Sequence, residues 1–408
     1  MPEALLHDLW RQQRFDAGAL RTTGGRPVAV LFAHDHHRDA RYNAVALHVT
    51  LYTDRWTGGL VREDGSPLPE LVLAPHLTDP LRELLYDFRT RAEEAIFCAP
   101  RWAEVPEEVR AGWVEEMAEE RLDEKKTRLV DRYFATPDVE ALLQERLFAG
   151  LGYSKNDEAM SDLARRVPLG RARRMARQSH ADLEALLLGL AGLLPEPSDL
   201  LDADRATADY ATGLAERFER VRSKHDLAAP MERERWQFFR LRPANFPPLR
   251  IAQAAALLAP GGLLHHDPLG RLLDAVHSGK PARALRDVFE EGATPPDFWK
   301  THFRLVKATE ERDPSVGRGR VDTLITNAVV PVLLLCAEQR DDDRLAAAVR
   351  ALLRDLPAGS DRITRRFRDL GTRPQDAFEA QGLHQLYRTR CAEGRCLECR
   401  IGQHLLEG

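Results

Sequence analysis

Lysine is nearly missing from this sequence: seven residues carry it among 59 basic positions, and the others are arginine. A GC-rich coding sequence produces the same skew, so it excludes nothing alone, although arginine's planar fork suits phosphate recognition. Cysteine is rare too. Five occur in 408 residues, three of them inside the last 20, which excludes a disulfide framework. Excess positive charge is also lacking, since 59 basic against 64 acidic side chains leave a formal charge of −5. That excludes a polycation coating nucleic acid by charge alone and leaves room for a local basic face. No window approaches about 18 uncharged apolar residues, so no membrane span is expected. The opening MPEALLHDLWRQQRFD carries charges inside its apolar pattern, so it does not read as a secretory leader, and the chain reads as cytoplasmic. A phosphate loop of the form G-x-x-x-x-G-K-S/T, a G-x-G-x-x-G after a strand, a G-x-S-x-G elbow and an H-E-x-x-H helix are all missing.

What is present points to two or three domains, at about 150 residues each. Residues 3–14 have apolar positions at helical spacing, and the run 27–32 is strand-like. Val45, Leu47, Val49 and Leu51 alternate with smaller or polar residues, predicting a second strand, and 69–73 predicts a short third one. From Asp79-Pro80 onward the period becomes helical, with helices expected at 80–96, 107–133, 138–150, 156–166, 171–178, 180–193, 205–225, 249–259, 268–277, 281–291, 320–340, 342–355 and 374–389. No fixed-period repeat stands out. The fold expectation is α+β: a small β-rich part at 1–78, a helical region at 79–225 and a second at 226–408 that ends in the cysteines.

Cys391-x4-Cys396-x2-Cys399 is the most chemically specific pattern. Gathered thiols in a reducing compartment suit a soft ion, either zinc in a closed site or an iron–sulfur cluster, and both need four ligands. Cys98 or His404 would supply the fourth; the plain alternative is ordinary reduced cysteines in a loop helped by Gly394. Cys336, inside an apolar run, reads as a small core hydrophobe. His34, Asp35, His36, His37, Asp39 and His48 gather imidazoles and carboxylates around a strand start. Such a set serves a divalent metal or acid–base chemistry, and a solvated connection between strands accounts for it equally well.

Arg165, Arg166, Arg171, Arg173, Arg174 and Arg177 form the densest basic run, either a DNA or RNA phosphate site or a solvated helix face. Arg240, Arg242 and Arg250 flank a proline-stiffened segment that would present three guanidinium groups, or else cap helix ends.

Several blocks together carry a resemblance: His36–His48 (HHRDARYNAVALH), Arg121–Lys126 (RLDEKK), Leu147–Gly152 (LFAGLG), Glu184–Gly189 with Ala191–Leu194, Arg240–Pro247 (RLRPANFP), Asn327 with Pro331, and Cys396–Gly402 (CLECRIG). In this order they resemble the bacterial family known as domain of unknown function 2851. Members of that family carry an acidic block, of the flavour G-P-D-F followed by a strand with V-E-I-H, which is similar to the metal-binding core of restriction-endonuclease-like nucleases. Here Phe32 runs directly into Ala33-His34, so that block is lacking. The resemblance implies a remnant of an endonuclease-like core in a nucleic-acid-associated protein. Asp35 and Asp39 are then the only nearby substitutes for the missing carboxylates, with His36 and His48 beside them in the candidate catalytic set, and Mg²⁺ or Mn²⁺ is needed only by an active nuclease. Some nucleases of that broad fold pin their ends with one upstream and three C-terminal cysteines, the order of Cys98, Cys391, Cys396 and Cys399. The competing expectations are a non-enzymatic helical scaffold with a Cys-bound structural metal, and a hydrolase of small substrates using the histidines.

Overall fold

Aspartate, serine and proline fix where many of the helices begin. The computed structural model of the protein describes residues 6, 9–10, 14–15, 48–51, 66, 68, 70–85, 96–291 and 294–407. Asp138 accepts Ala141 N–H at 2.9 Å, Asp204 accepts Thr207 N–H at 3.0 Å and Asp342 accepts Leu345 N–H at 3.0 Å, each satisfying a first-turn donor. Pro247, Pro268 and Pro281 take first-turn positions, where a missing amide costs nothing.

The elements run β1 (His48–Thr50), β2 (Glu70–Val72), α1 (Glu107–Ala135), α2 (Val139–Arg166), α3 (Leu169–Gln178), α4 (His180–Leu190), α5 (Arg205–Lys224), α6 (Pro247–Leu258), α7 (Pro268–Val276), α8 (Pro281–Glu290), β3 (His302–Arg304) and β4 (Lys307–Ala308). After them come α9 (Arg318–Leu324), a π-helical turn at Ile325–Val329, α10 (Val330–Gln339), α11 (Asp343–Asp355), α12 (Arg362–Asp369), α13 (Ala377–Leu386) and α14 (Arg400–Glu407). The chain divides into two compact units, Met1–Trp113 with Gln385–Gly408, and Val114–His384, so the boundary expected near 225 falls inside the second.

In the first unit β1 and β2 pair in parallel, Val49 opposite Leu71, and their apolar side chains pack with Leu9, Phe15, Leu73 and Leu84. The alternation in the sequence thus finds its strands. The expected strand 27–32 lies outside the described residues. Among the described residues the protein is mostly helical with two small sheets, and a two-stranded ladder of three residues each does not support an endonuclease-core remnant.

In the second unit the helices that are apolar on every side lie at the centre, as their patterning requires. Residues 183–190 of α4 and all of α6 are buried, and α4 packs against both α5 and α6. The helical stretch Arg318–Gln339 is long and apolar enough to cross a membrane by length and composition, but it is mostly buried within this unit. Cys336 is buried there, as expected of a small hydrophobe.

A polar cluster sits inside this core. Glu184 on α4 is fully buried and accepts from Tyr210 Oη at 2.8 Å and from Trp299 Nε1 at 2.5 Å. Phe298 stacks between Tyr210 and His302, each with ring centroids 3.8 Å away. Burial pushes the Glu184 carboxyl above its ordinary range, against the opposing pull of the Trp299 and Tyr210 hydrogen bonds. A raised folded pKa means the native state holds this proton more tightly, so its contribution is full below the ordinary carboxyl value and is lost as pH rises through the folded value. Glu184→Gln should remove that dependence. The stability difference between variant and wild type is expected to shift in the variant's favour by about 1.4 kcal/mol per pH unit across the window. Urea melts at successive pH values check it, and parallel curves for the two proteins would refute it.

Candidate functional site

Tight turns gather the cysteines of the first unit. Cys98 precedes the 3-10 turn Ala99–Glu104, whose Arg101 Nη1 donates to the Leu405 carbonyl at 3.0 Å on the last turn of α14. Cys391 closes the π-helical turn Tyr387–Cys391, Cys396 opens the 3-10 turn Cys396–Glu398, and Cys399 directly precedes α14. Gly394, at φ +68°, makes the reversal between the first two, a conformation open to glycine at no steric cost. At Gly402 a side chain would collide with the Cys396 carbonyl, 2.1 Å from where its Cβ would lie.

The four thiols share one electrostatic environment. Burial pushes Cys98 up to about 12, and the charges of Cys396 and Cys399 push the same way. Cys391 is raised first by burial, then by Cys98, Cys399 and Cys396. Cys98 is therefore brought to the tail cysteines from almost 300 residues away in sequence, whereas Cys336 sits in the other unit. Each tail cysteine is also flanked by an arginine, Arg390, Arg395 or Arg400, and Arg395 is paired with Glu393 and Glu398. Among the described residues no group of three or more His, Cys, Asp or Glu stands ready to hold a metal ion. As a donor set, four thiolates suit zinc or an iron–sulfur cluster.

The basic run lies on α2 and α3, and most of it is engaged. Arg165 pairs with Glu145 and Asp162, and Arg166 donates to the Ala229 carbonyl. Arg171 Nη1 reaches the Asp226 carbonyl at 3.2 Å, while Arg173 reaches the Leu264 carbonyl at 2.7 Å and Glu140 at 2.8 Å. Arg174 and Arg177 are exposed. Arg240 and Arg242 are exposed too, beside Phe239, which is 74% exposed. Asp35, His36 and Asp39 lie outside the described residues, and His48 opens β1.

Arg250 belongs to a different setting from its expected partners. It is 6% exposed, on the first turn of α6, and is not presented with Arg240 and Arg242. Its Nη2 donates to Tyr153 Oη at 3.0 Å and Asn245 Oδ1 at 2.7 Å, its Nη1 to Gln253 Oε1 at 2.7 Å, and its buried Nε has no partner. Arg320 lies with its guanidinium carbon 3.1 Å from the Tyr153 ring centroid, and Arg250's is 5.0 Å from the same ring. Among the described residues no carboxylate pairs with either guanidinium. Burial pulls Arg320 down to about 10, with Tyr153 opposing and the Arg250 charge pushing the same way, and burial pulls Arg250 down as well. Tyr153 itself stands at φ 57°, ψ −167°, where α2 kinks. That region is nearly closed to side-chain-bearing residues and costs on the order of 1–3 kcal/mol.

A cleft of about 260 Å³ opens elsewhere on this unit, between Glu119, Asp123 and Lys126 of α1 and the Glu338–Asp343 turn. Its charges are largely spent: Lys126 pairs with Glu338 and Asp123, Arg350 with Glu119, and Asp342 caps α11.

A family model described as a protein of unknown function, DUF2851, matches residues 31–362. The chain belongs to the DUF2851 family. For this DUF2851 protein the match includes Cys98, the basic run and the Tyr153–Arg250–Arg320 cluster, and it ends before Cys391, Cys396 and Cys399. No curated protein and no solved structure matches the chain.

Proposed function

We propose that this DUF2851 protein is a helical interaction scaffold whose first unit is stapled by a structural metal on Cys98, Cys391, Cys396 and Cys399. The observation carrying the reading is the hydrogen bond from Arg101, three residues after Cys98, to the Leu405 carbonyl of α14, the helix that Cys399 directly precedes. The bound group, zinc or an iron–sulfur cluster, would act by tying the chain's end to the 96–104 segment, because ligation free energy becomes folding free energy. The consumption of Arg165, Arg166, Arg171 and Arg173 within the fold supports a scaffold over a phosphate-binding face.

Exposed Arg174, Arg177, Arg240 and Arg242 favour a second reading, a nuclease-like, nucleic-acid-associated protein without the family's acidic block. Salt-dependent binding of single- and double-stranded DNA separates the two. The scaffold reading expects no affinity that falls steeply with salt and no cleavage with Mg²⁺ or Mn²⁺. Binding with a steep salt slope, reduced by about two in the Arg174→Ala, Arg177→Ala double variant, would replace it with the second reading.

A further inference from the structure

Two guanidinium groups against one tyrosine ring, with no carboxylate pairing with them among the described residues, leave two positive charges unbalanced there. Arginine cannot escape by giving up its proton as a buried lysine can. Neutral acceptors satisfy part of Arg250's hydrogen bonding, through Tyr153, Asn245 and Gln253, but none of its charge. Its Nε donor remains buried and unmade. Arg320 is half-buried and donates to the Gly150 carbonyl at 3.3 Å, its one hydrogen bond among the described residues. Residues 317–319 just before it are exposed, which puts this side of the cluster within reach of solvent. Tyr153 accepts from Arg250, so its own hydroxyl proton is free to be donated. The strained backbone at Tyr153 holds the ring where both guanidinium groups meet it.

We propose that Arg250, Arg320 and Tyr153 form a binding site for the dianion of a phosphate monoester. Charge selects this class. A dianion balances both guanidinium groups, whereas a carboxylate or a phosphodiester brings one negative charge, and planar guanidinium forks match phosphate oxygens. The site is in the second unit and does not rest on the metal staple.

The test is calorimetric titration of the full chain with inorganic phosphate, in chloride buffer of matched ionic strength. Saturable binding at one site per chain is expected. Arg320→Gln should weaken it at least tenfold and Tyr153→Phe several-fold, with unchanged far-ultraviolet circular dichroism in both. Arg320 is only half-buried, so its variant is expected to fold even where Arg250 variants do not. A nucleoside monophosphate and a 5′-phosphorylated single-stranded oligonucleotide, the latter compared with its 5′-hydroxyl form, then distinguish a small ligand from a nucleic-acid end. Tighter binding of either than of inorganic phosphate supports the site and names its source. No saturable binding of any of the three, or equal affinity in wild type and Arg320→Gln, would overturn it.

Discussion

Trp299→Ala is expected to be the most damaging single truncation in the second unit, costing about 3–5 kcal/mol for the lost burial. Trp299 has no exposed surface, and its indole N–H is one of two donors holding the buried Glu184 carboxyl. Removing that donor adds about 1–3 kcal/mol for a polar group left short of a partner. Since whole domains are stable by only about 5–15 kcal/mol, the variant should be largely unfolded or strongly aggregation-prone at 37 °C. Trp299→Phe separates the two contributions, because it keeps an aromatic ring and loses the donor. It should show mainly the smaller cost in urea melts, and a Phe variant as stable as wild type would show that the hydrogen bond contributes nothing.

Cys98→Ser is expected to abolish metal retention by the purified protein and to loosen the first unit. A serine hydroxyl is a poor substitute for a thiolate, and a site with three of its four ligands holds zinc or a cluster weakly. Cys336→Ser serves as the control, being buried in the other unit and outside the thiol group, and should retain full metal. Limited proteolysis should cut Cys98→Ser faster within 385–407 than it cuts wild type. If Cys98→Ser keeps its metal, the fourth ligand is another group, and the staple across the sequence is refuted.

Much of the helical frame was legible because capping and periodicity agree in it. Asp138, Asp204 and Asp342 stand where the apolar period begins, and the structure starts helices there. The glycine-bearing stretch 150–154 predicted an interruption, but the hydrogen-bonded helix continues on both sides, so it appears as the Tyr153 kink inside α2. Gly152 allows the tight approach there, since a Cβ would lie 2.8 Å from Asp157 N. Helix α12 carries little apolar period because it buries only Thr364 and Phe367, although Asp361 and Thr364 form a capping box that marks its start. The β3–β4 hairpin is too short for alternation to show.

The candidate sites divide in the same way. Cysteine spacing is local and visible, whereas the residues alone left the fourth ligand open between Cys98 and His404, and only the nuclease resemblance singled out Cys98. The basic run was visible as charge, yet its partners, Glu140, Glu145 and three backbone carbonyls beyond residue 225, are set by tertiary packing. Arg250 and Arg320 are 70 residues apart and meet only because α6 and α9 both approach the kink. No periodicity or motif marks such a meeting.

The most direct test of the metal staple is elemental analysis, with an ultraviolet–visible spectrum, of protein purified without oxygen. The account predicts either about one zinc, or about four irons with broad absorption near 400 nm, per chain, in line with four-thiolate ligation. Protein that is folded, fully reduced and free of both metals would contradict it.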